Sequence, residues 1–282
     1  MAKSELDKAI EKIKRVEIQG AKNIAIFSLK FLKKYSKKEG FGREFDLAMK
    51  KLENARPTAV ILHNCIKILK KDKSEETIDS ILKKLENIPD ALGWNAIRLL
   101  RKKKYRILTH CHSSEALAVI KALKDSGKKI EVIATETEPL EQGLKTVKDL
   151  KKWKMPVTLI LDSAAGRFIP EVDCVIVGTD SIRKEGVINK IGTSLYAISA
   201  KYYKKPFYIV GDTLKFDTRK KFEIEERAPE EIFSGFRKKY NLTGIKVRNP
   251  AFDITPWEFI TKIITEKDNY SPKEIMKILK KG

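Results

Sequence analysis

The chain has 282 residues, 42% of them hydrophobic and 34% charged, with a formal net charge of +21. That balance describes a globular chain long enough to bury a sizeable core, and it excludes intrinsic disorder. No apolar run approaches the roughly 20 residues needed to span a bilayer, and Met1-Ala2-Lys3-Ser4-Glu5-Leu6-Asp7 lacks the apolar stretch of a signal peptide, so a cytoplasmic protein without membrane contact is expected.

Residues 1–103 read as a helical N-terminal domain. Apolar residues recur at helical spacing in Leu6, Ala9, Ile10 and Ile13, then in Ile24, Phe27 and Phe31. A third helix runs from Phe45 to Asn54 and stops at Arg56-Pro57, because proline cannot continue a helix interior. Helices follow at Ala59–Leu69 and Glu75–Glu86, with Pro89 separating the latter from Ala91–Leu100. Arg101-Lys102-Lys103-Lys104 reads as a solvated hinge.

Residues 104–282 change pattern. Short runs rich in β-branched residues (105–108, 130–134, 157–161, 174–177 and 207–210) alternate with helical segments at 115–124, 141–153 and 192–203. Such alternation predicts an α/β fold, with a Rossmann-like, mostly parallel sheet. Phe222–Glu226 alternates apolar and charged residues, as an edge or hairpin strand would.

Polar groups follow every core strand: Thr109-His110-Cys111, Thr135-Glu136, Asp162-Ser163, Thr179-Asp180 and Gly211-Asp212. In parallel sheets ligands bind beyond the carboxyl ends of the strands, so five such ends point to a pocket. A free cysteine is most often a small buried hydrophobe, and Cys65 and Cys174 fit that description. Cys111 instead sits between a strand and a helix that Ser113 or Ser114 can cap, where a helix N-terminus would lower a thiol pKa. In an extended segment His110 and His112 point one way and Cys111 the other, so no shared metal ion is expected. In Asn189-Lys190-Ile191-Gly192-Thr193, Lys190 supplies a point charge for phosphate, Gly192 admits close backbone approach and Thr193 caps a helix. The positive charge is spread over both domains without a nucleic-acid-binding motif, so nucleic acid is not the expected partner.

These residues resemble a known superfamily. It joins the regulatory subunits of translation initiation factor 2B, methylthioribose-1-phosphate isomerase and archaeal ribose-1,5-bisphosphate isomerase. The stretches that carry the resemblance are THCHSSEAL at 109–117, TETEPLEQG at 135–143, VTLILDSAA at 157–165, VGTDSIRKEGVINKIGT at 177–193 and NPAFDITPWEFITKIITE at 249–266, with IQGAKNIAIFSLK at 18–30 and ARPTAV at 55–60. The isomerase pattern is the nearest. The resemblance implies proton transfer by Cys111 and Asp180. It also implies a phosphorylated ribose held by Gln142, Gly143, Asn189 and Lys190, with the Gln19-Gly20-Ala21 loop and Arg56; His112, Ser113 and Lys215 complete the expected set. It further implies a homo-oligomer (dimer or hexamer), AMP as a candidate activator, and neither metal nor organic cofactor. Two positions depart from the isomerases: Gln19 and Glu138 stand where they carry arginine, and Lys22, Lys145, Arg183 and Lys215 are the basic residues available to compensate. Three readings therefore stay open. The first is an isomerase converting ribose 1,5-bisphosphate to ribulose 1,5-bisphosphate. The second is a non-catalytic regulatory subunit that binds a nucleotide or sugar phosphate and a translation factor. The third is a methylthioribose-1-phosphate isomerase.

Overall fold

A computed structural model describes residues 4–15, 17–18, 20–220, 222–233 and 244–281. The chain divides into two compact units, Met1–Ile88 with Leu214–Phe216, and Pro89–Thr213 with Asp217–Gly282. None of the described helices is long and apolar enough to cross a membrane.

The first unit consists of α1 (Glu5–Lys14), α2 (Ala21–Glu39), α3 (Arg43–Ala55), α4 (Val60–Leu69) and the first part of α5 (Glu75–Leu99). Ser4 caps α1 by accepting the Asp7 N–H, and α1 buries Leu6, Ala9 and Ile13. On α2 the buried face runs through Ile24, Ala25, Leu29 and Leu32. Phe27 and Phe31, expected on that face, are only half-buried; Phe31 lies beside it and stacks on Tyr35 at 5.7 Å between ring centroids. Asn64 holds the Leu214–Phe216 segment through its amide, which donates to the carbonyls of Leu214 (2.7 Å) and Phe216 (2.9 Å).

The expected break at Pro89 does not occur, and α5 continues through it. The buried stripe Ile78, Ile81, Leu85, Ile88, Leu92, Ala96 runs past the proline without interruption. Burial of that stripe outweighs the local penalty of about 3 kcal/mol for an interior proline. The division between units falls inside this helix, whereas the sequence reading sets the boundary at residue 103. Residues after Pro89 are tied into the second unit: Asn95 donates to Thr265 O, and Asn269 donates to Asn95 O.

The second unit contains, in chain order, β1 (Lys104–Thr109), α6 (Ser114–Asp125), β2 (Lys129–Thr135), α7 (Gln142–Lys152), β3 (Val157–Ile160), α8 (Ala165–Phe168), β4 (Cys174–Gly178), β5 (Ser181–Arg183), β6 (Gly186–Lys190), α9 (Thr193–Tyr202), β7 (Phe207–Val210), β8 (Phe252–Thr255), β9 (Lys262–Ile264), β10 (Asn269–Tyr270) and α10 (Pro272–Lys281). The main sheet has the order β10-β9-β7-β4-β1-β2-β3 and is parallel except for β10. Ile107, Leu108, Val175, Ile176, Val177 and Ile209 are fully buried, as expected of central parallel strands. From β1 the chain steps outward to β2 and β3, then returns to β4 on the other side of β1. The topological switch point therefore lies between β1 and β4, and ligands of such sheets bind in the crevice beyond those two carboxyl ends.

A second, antiparallel sheet, β5-β6-β8, was not legible from the alternating pattern. Phe222–Glu226, expected as a strand, forms among the described residues the single bridge Glu226–Pro250, flanked by the bond from Ala251 N to Glu225 O at 2.8 Å. Its alternate residues Phe222 and Ile224 instead lie against Ile188, Ala251 and Phe252, so packing on the small sheet uses the alternation without a ladder.

Candidate active site

β1 delivers Cys111 and β4 delivers Asp180 to the two sides of the switch point. Gly178 lets β4 run against the start of α6: an added Cβ there would sit 2.2 Å from Ser113 Oγ, so only glycine lets the two approach this tightly. Ser113 caps α6 by accepting the Ala116 N–H, and that is the role its hydroxyl has here.

Cys111 is not extended. Its φ is 66°, so the expected alternation of His110, Cys111 and His112 about a strand does not hold. Among the described residues, no group of three or more His, Cys, Asp or Glu side chains is placed to hold a metal ion. The Cys111 thiol points to Gln142 Oε1 at 3.7 Å. Burial pushes its pKa up from an ordinary 9.0 to about 11; Lys190 pulls it down and Asp180 adds to the rise. The lowering expected from the α6 N-terminus is thus overridden by desolvation, and the resting group is a neutral thiol acted on by the Lys190 cation and by the carboxylates of Asp180 and Asp162.

His110 is buried. Its Nε2 lies 2.9 Å from Ile191 O and its Nδ1 lies 2.6 Å from Thr135 Oγ1. A carbonyl can only accept, so Nε2 carries the proton and Nδ1 accepts from the threonine. Burial lowers the His110 pKa from 6.5 to about 4, against the opposing pull of Asp162 at 3.8 Å. His110 is therefore a neutral brace between β1, β2 and the turn before α9, and Tyr196 meets its ring edge-on at 4.8 Å. His112 faces α7 instead, with Nδ1 3.1 Å from Thr146 Oγ1 and Nε2 3.8 Å from Asp149.

Asp162 organises the loop after β2. Its two carboxylate oxygens accept the N–H groups of Thr137 (3.0 Å) and Glu138 (2.8 Å). Gly143 carries α7 onto that loop, since a Cβ at this position would fall 1.7 Å from Thr135 O. The glycine expected to touch substrate is thus required for backbone packing.

The segment from β6 to α9 holds Asn189 and Lys190. The Asn189 amide donates to Thr193 Oγ1 at 3.0 Å, and Thr193 Oγ1 donates to Lys190 O at 2.6 Å. Lys190 Nζ lies 5.4 Å from the Phe252 ring centroid, and its charge acts on both Cys111 and His110. The α9 N-terminus, expected to be open to phosphate with Thr193 as cap, begins at Gly192 and is filled from within. Asp253 accepts from Gly192 N (2.8 Å), Ser194 N (3.1 Å) and Ser194 Oγ (2.8 Å). Burial raises the Asp253 pKa against the pull of these bonds.

The sequence-predicted residues thus fall into two sets. Cys111, His112, Ser113, Gln142, Gly143, Asp180, Asn189 and Lys190 all belong to the second unit. Gly20, Ala21, Arg56 and Lys215 belong to the first. Gly20 starts α2 with φ 87°, Arg56 ends α3, and Lys215 is buried in the segment held by Asn64. Gln19 lies outside the described residues. Arg183, one of the basic residues available to compensate, is committed to Asp217 at 2.6 Å, with both side chains buried. Sequence reasoning gave no role to Asp253, Thr137 or Thr146. The signal for Thr146 was present: it stands one helical turn after Gln142, on the same face of α7.

Comparison with known proteins agrees with this architecture. The model of the initiation factor 2 subunit family matches residues 17–272. Ribose 1,5-bisphosphate isomerase of Archaeoglobus fulgidus is 42% identical over 93% of this chain and 88% of its own length. The isomerase of the same name from Methanocaldococcus jannaschii is 42% identical over 99% of this chain and 96% of its own. The crystal structure of Pyrococcus horikoshii OT3 translation initiation factor eIF-2B superposes with a TM-score of 0.84 at 26% identity, covering 97% of this chain and all of that one. With the family pattern matched along nearly its whole length, the chain belongs to the initiation factor 2 subunit family.

Proposed function

We propose that this chain is a sugar-phosphate aldose–ketose isomerase that converts ribose 1,5-bisphosphate to ribulose 1,5-bisphosphate. The observation that carries the reading is the pairing of Cys111 and Asp180 across the switch point, with Lys190 acting on the thiol. The isomerase relatives at 42% identity support the substrate class. In the reactive form the Cys111 thiol proton has passed to the Asp180 carboxylate, and Asp180 gives that proton to the ring oxygen as the sugar ring opens. Cys111, as thiolate, takes the proton from carbon 2 and returns it to carbon 1. The Asp180 carboxylate then takes the proton of the carbon-2 hydroxyl, which becomes the ketone. One hydrogen has moved from carbon 2 to carbon 1 and one from that hydroxyl to the former ring oxygen, so the groups end as they began. Lys190 opposes the negative charge that develops between these steps. Two acid–base groups suffice for the transfers, so the reading calls for neither metal nor organic cofactor. The product suits a carboxylase that consumes ribulose bisphosphate, and AMP is the candidate activator, as in a salvage route for nucleotides.

The experiment is turnover of ribose 1,5-bisphosphate, with and without AMP, beside Cys111→Ala and Cys111→Ser. Activity absent from both variants is the expected result. Full turnover by Cys111→Ser would overturn the assignment. Methylthioribose 1-phosphate as a second substrate separates the two isomerase readings.

A regulatory reading has one observation in its favour. Glu138 places a carboxylate on the Asp162-held loop, where a phosphate would be repelled. It predicts thermal stabilisation by ribose 1,5-bisphosphate or AMP without turnover, and co-purification with a translation factor.

The surface supports assembly with a second copy. β3 is one edge of the main sheet, and Leu159 on it and Leu161 just after it are exposed. On α9, Leu195, Ile198 and Tyr202 are exposed at helical spacing. The stretches 155–161 and 191–200 contain no charged residue, so two chains of net charge +21 can meet there with least repulsion.

A further inference from the structure

A non-glycine residue with φ near +66° is uncommon, and one at a reacting position needs a physical restraint. The structure supplies two. The N–H of Cys111 donates to Thr137 Oγ1 at 2.9 Å, and the carbonyl of Cys111 accepts from Thr146 Oγ1 at 2.8 Å. Both threonines are buried, so water does not compete for these bonds. They come from different elements: Thr137 from the loop after β2, Thr146 from the body of α7.

Each threonine is itself fixed. The Thr137 N–H is held by Asp162 Oδ1 at 3.0 Å, and its hydroxyl lies 3.3 Å from both Thr135 Oγ1 and His110 Nδ1. Thr146 Oγ1 lies 3.1 Å from His112 Nδ1, which donates because the threonine proton is spent on the Cys111 carbonyl. The two peptide groups flanking the Cys111 α-carbon are thus each gripped by a threonine side chain. Losing either bond frees one peptide to rotate, which would carry the Cys111 backbone toward negative φ and swing its thiol off Gln142.

We propose that Thr137 and Thr146 are positioning residues that clamp the Cys111 backbone in its left-handed conformation and so aim the thiol at the substrate carbon. The proposal rests on the isomerase reading for its kinetic consequence, but the clamp itself is testable without substrate.

The test uses full-length Thr137→Val, Thr146→Val and the corresponding serine variants. Valine keeps the shape and removes the hydroxyl, whereas serine keeps the hydroxyl. Two quantities are measured: kcat and KM for ribose 1,5-bisphosphate, and the rate of iodoacetamide alkylation at Cys111 in ligand-free protein, read by peptide mass spectrometry well below each variant's Tm. Each valine variant is expected to lose about 100-fold in kcat with KM within about threefold of wild type, the scale of an ångström-level misplacement. Its Cys111 alkylation rate is expected to change by at least about fivefold, while buried Cys65 and Cys174 stay protected. Each serine variant is expected to remain within about threefold of wild type in both measurements. Valine variants that keep wild-type alkylation overturn the clamp, whatever their turnover. Serine variants that fail as badly as valine also overturn it, because the methyl group and not the hydroxyl would then matter. A wild-type protein without turnover defeats the isomerase reading alone, and the alkylation comparison still decides the clamp.

Discussion

The raised pKa of Cys111 gives the sharpest check on how the site is poised. Moving from 9.0 to about 11 is a change of about 2 pH units, or about 3 kcal/mol favouring the neutral thiol. At pH 8 the thiolate is then about one part in a thousand, against about one in ten for an ordinary thiol. Alkylation by iodoacetamide follows thiolate population, and ratios between pH values cancel the effect of access. The expected rate at Cys111 rises about tenfold per pH unit from pH 8 to 10, with a midpoint near 11. Lys190 lowers this pKa and Asp180 raises it, so Lys190→Met should move the midpoint up and Asp180→Asn should move it down. Thiolate-dependent kcat/KM should climb over the same range in the wild type. A rate plateau below pH 9 would show that burial does not govern the thiol, and the reasoning would fail there.

Acid sensitivity should trace partly to His110. Its folded pKa of about 4 lies below the unfolded 6.5, so the unfolded chain binds a proton that the folded chain refuses. Stability is lost as pH falls from 6.5 toward 4, by up to about 3 kcal/mol from this one group. His110→Gln should flatten that part of the urea-midpoint profile, and an unchanged slope would contradict the assignment. Asp253→Ala should cost about 1–2 kcal/mol through loss of the α9 cap. It should also make the Tm respond to inorganic phosphate more strongly than the wild type does, because the freed N–H groups of Gly192 and Ser194 then face the anion. An equal phosphate effect on both proteins would contradict this. Leu195→Glu should shift the protein toward monomer in sedimentation velocity if the uncharged face joins two copies; an unaltered mass would remove that face from the interface.

The sequence made the sheet readable because fully buried parallel strands leave continuous apolar runs. Ile107-Leu108 and Val175-Ile176-Val177 need no partner to be recognised. Their polar ends then bring Cys111 and Asp180 to the ends of two neighbouring strands, since topology alone fixes which strand ends share a crevice. What could not be read depended on contacts distant in sequence. Pro89 breaks helices by local rules, and only the buried stripe on either side reveals that it does not break this one. The Cys111 conformation is set by Thr137 and Thr146, each in another element, so alternation gave the wrong side for its neighbours. The thiol pKa followed burial, which no spacing rule reports, and overrode the helix effect that spacing does report. The α9 start showed every local feature of an anion site, yet its anion is a side chain of the chain itself.

That internal anion has a consequence for how the protein is made. Asp253 follows the Gly192 it caps by 61 residues, and β8, which carries it, pairs with β6, which carries Lys190. On a ribosome, the turn bearing Asn189 and Lys190 emerges well before the carboxylate that fixes it. Until Asp253 clears the exit tunnel, the nascent α9 keeps an uncapped positive end that cellular phosphates can occupy. Completion of this region thus waits on a late segment of the chain, and a stalled or truncated product carries Cys111 and Asp180 without the strand that pairs with β6 and packs against Lys190.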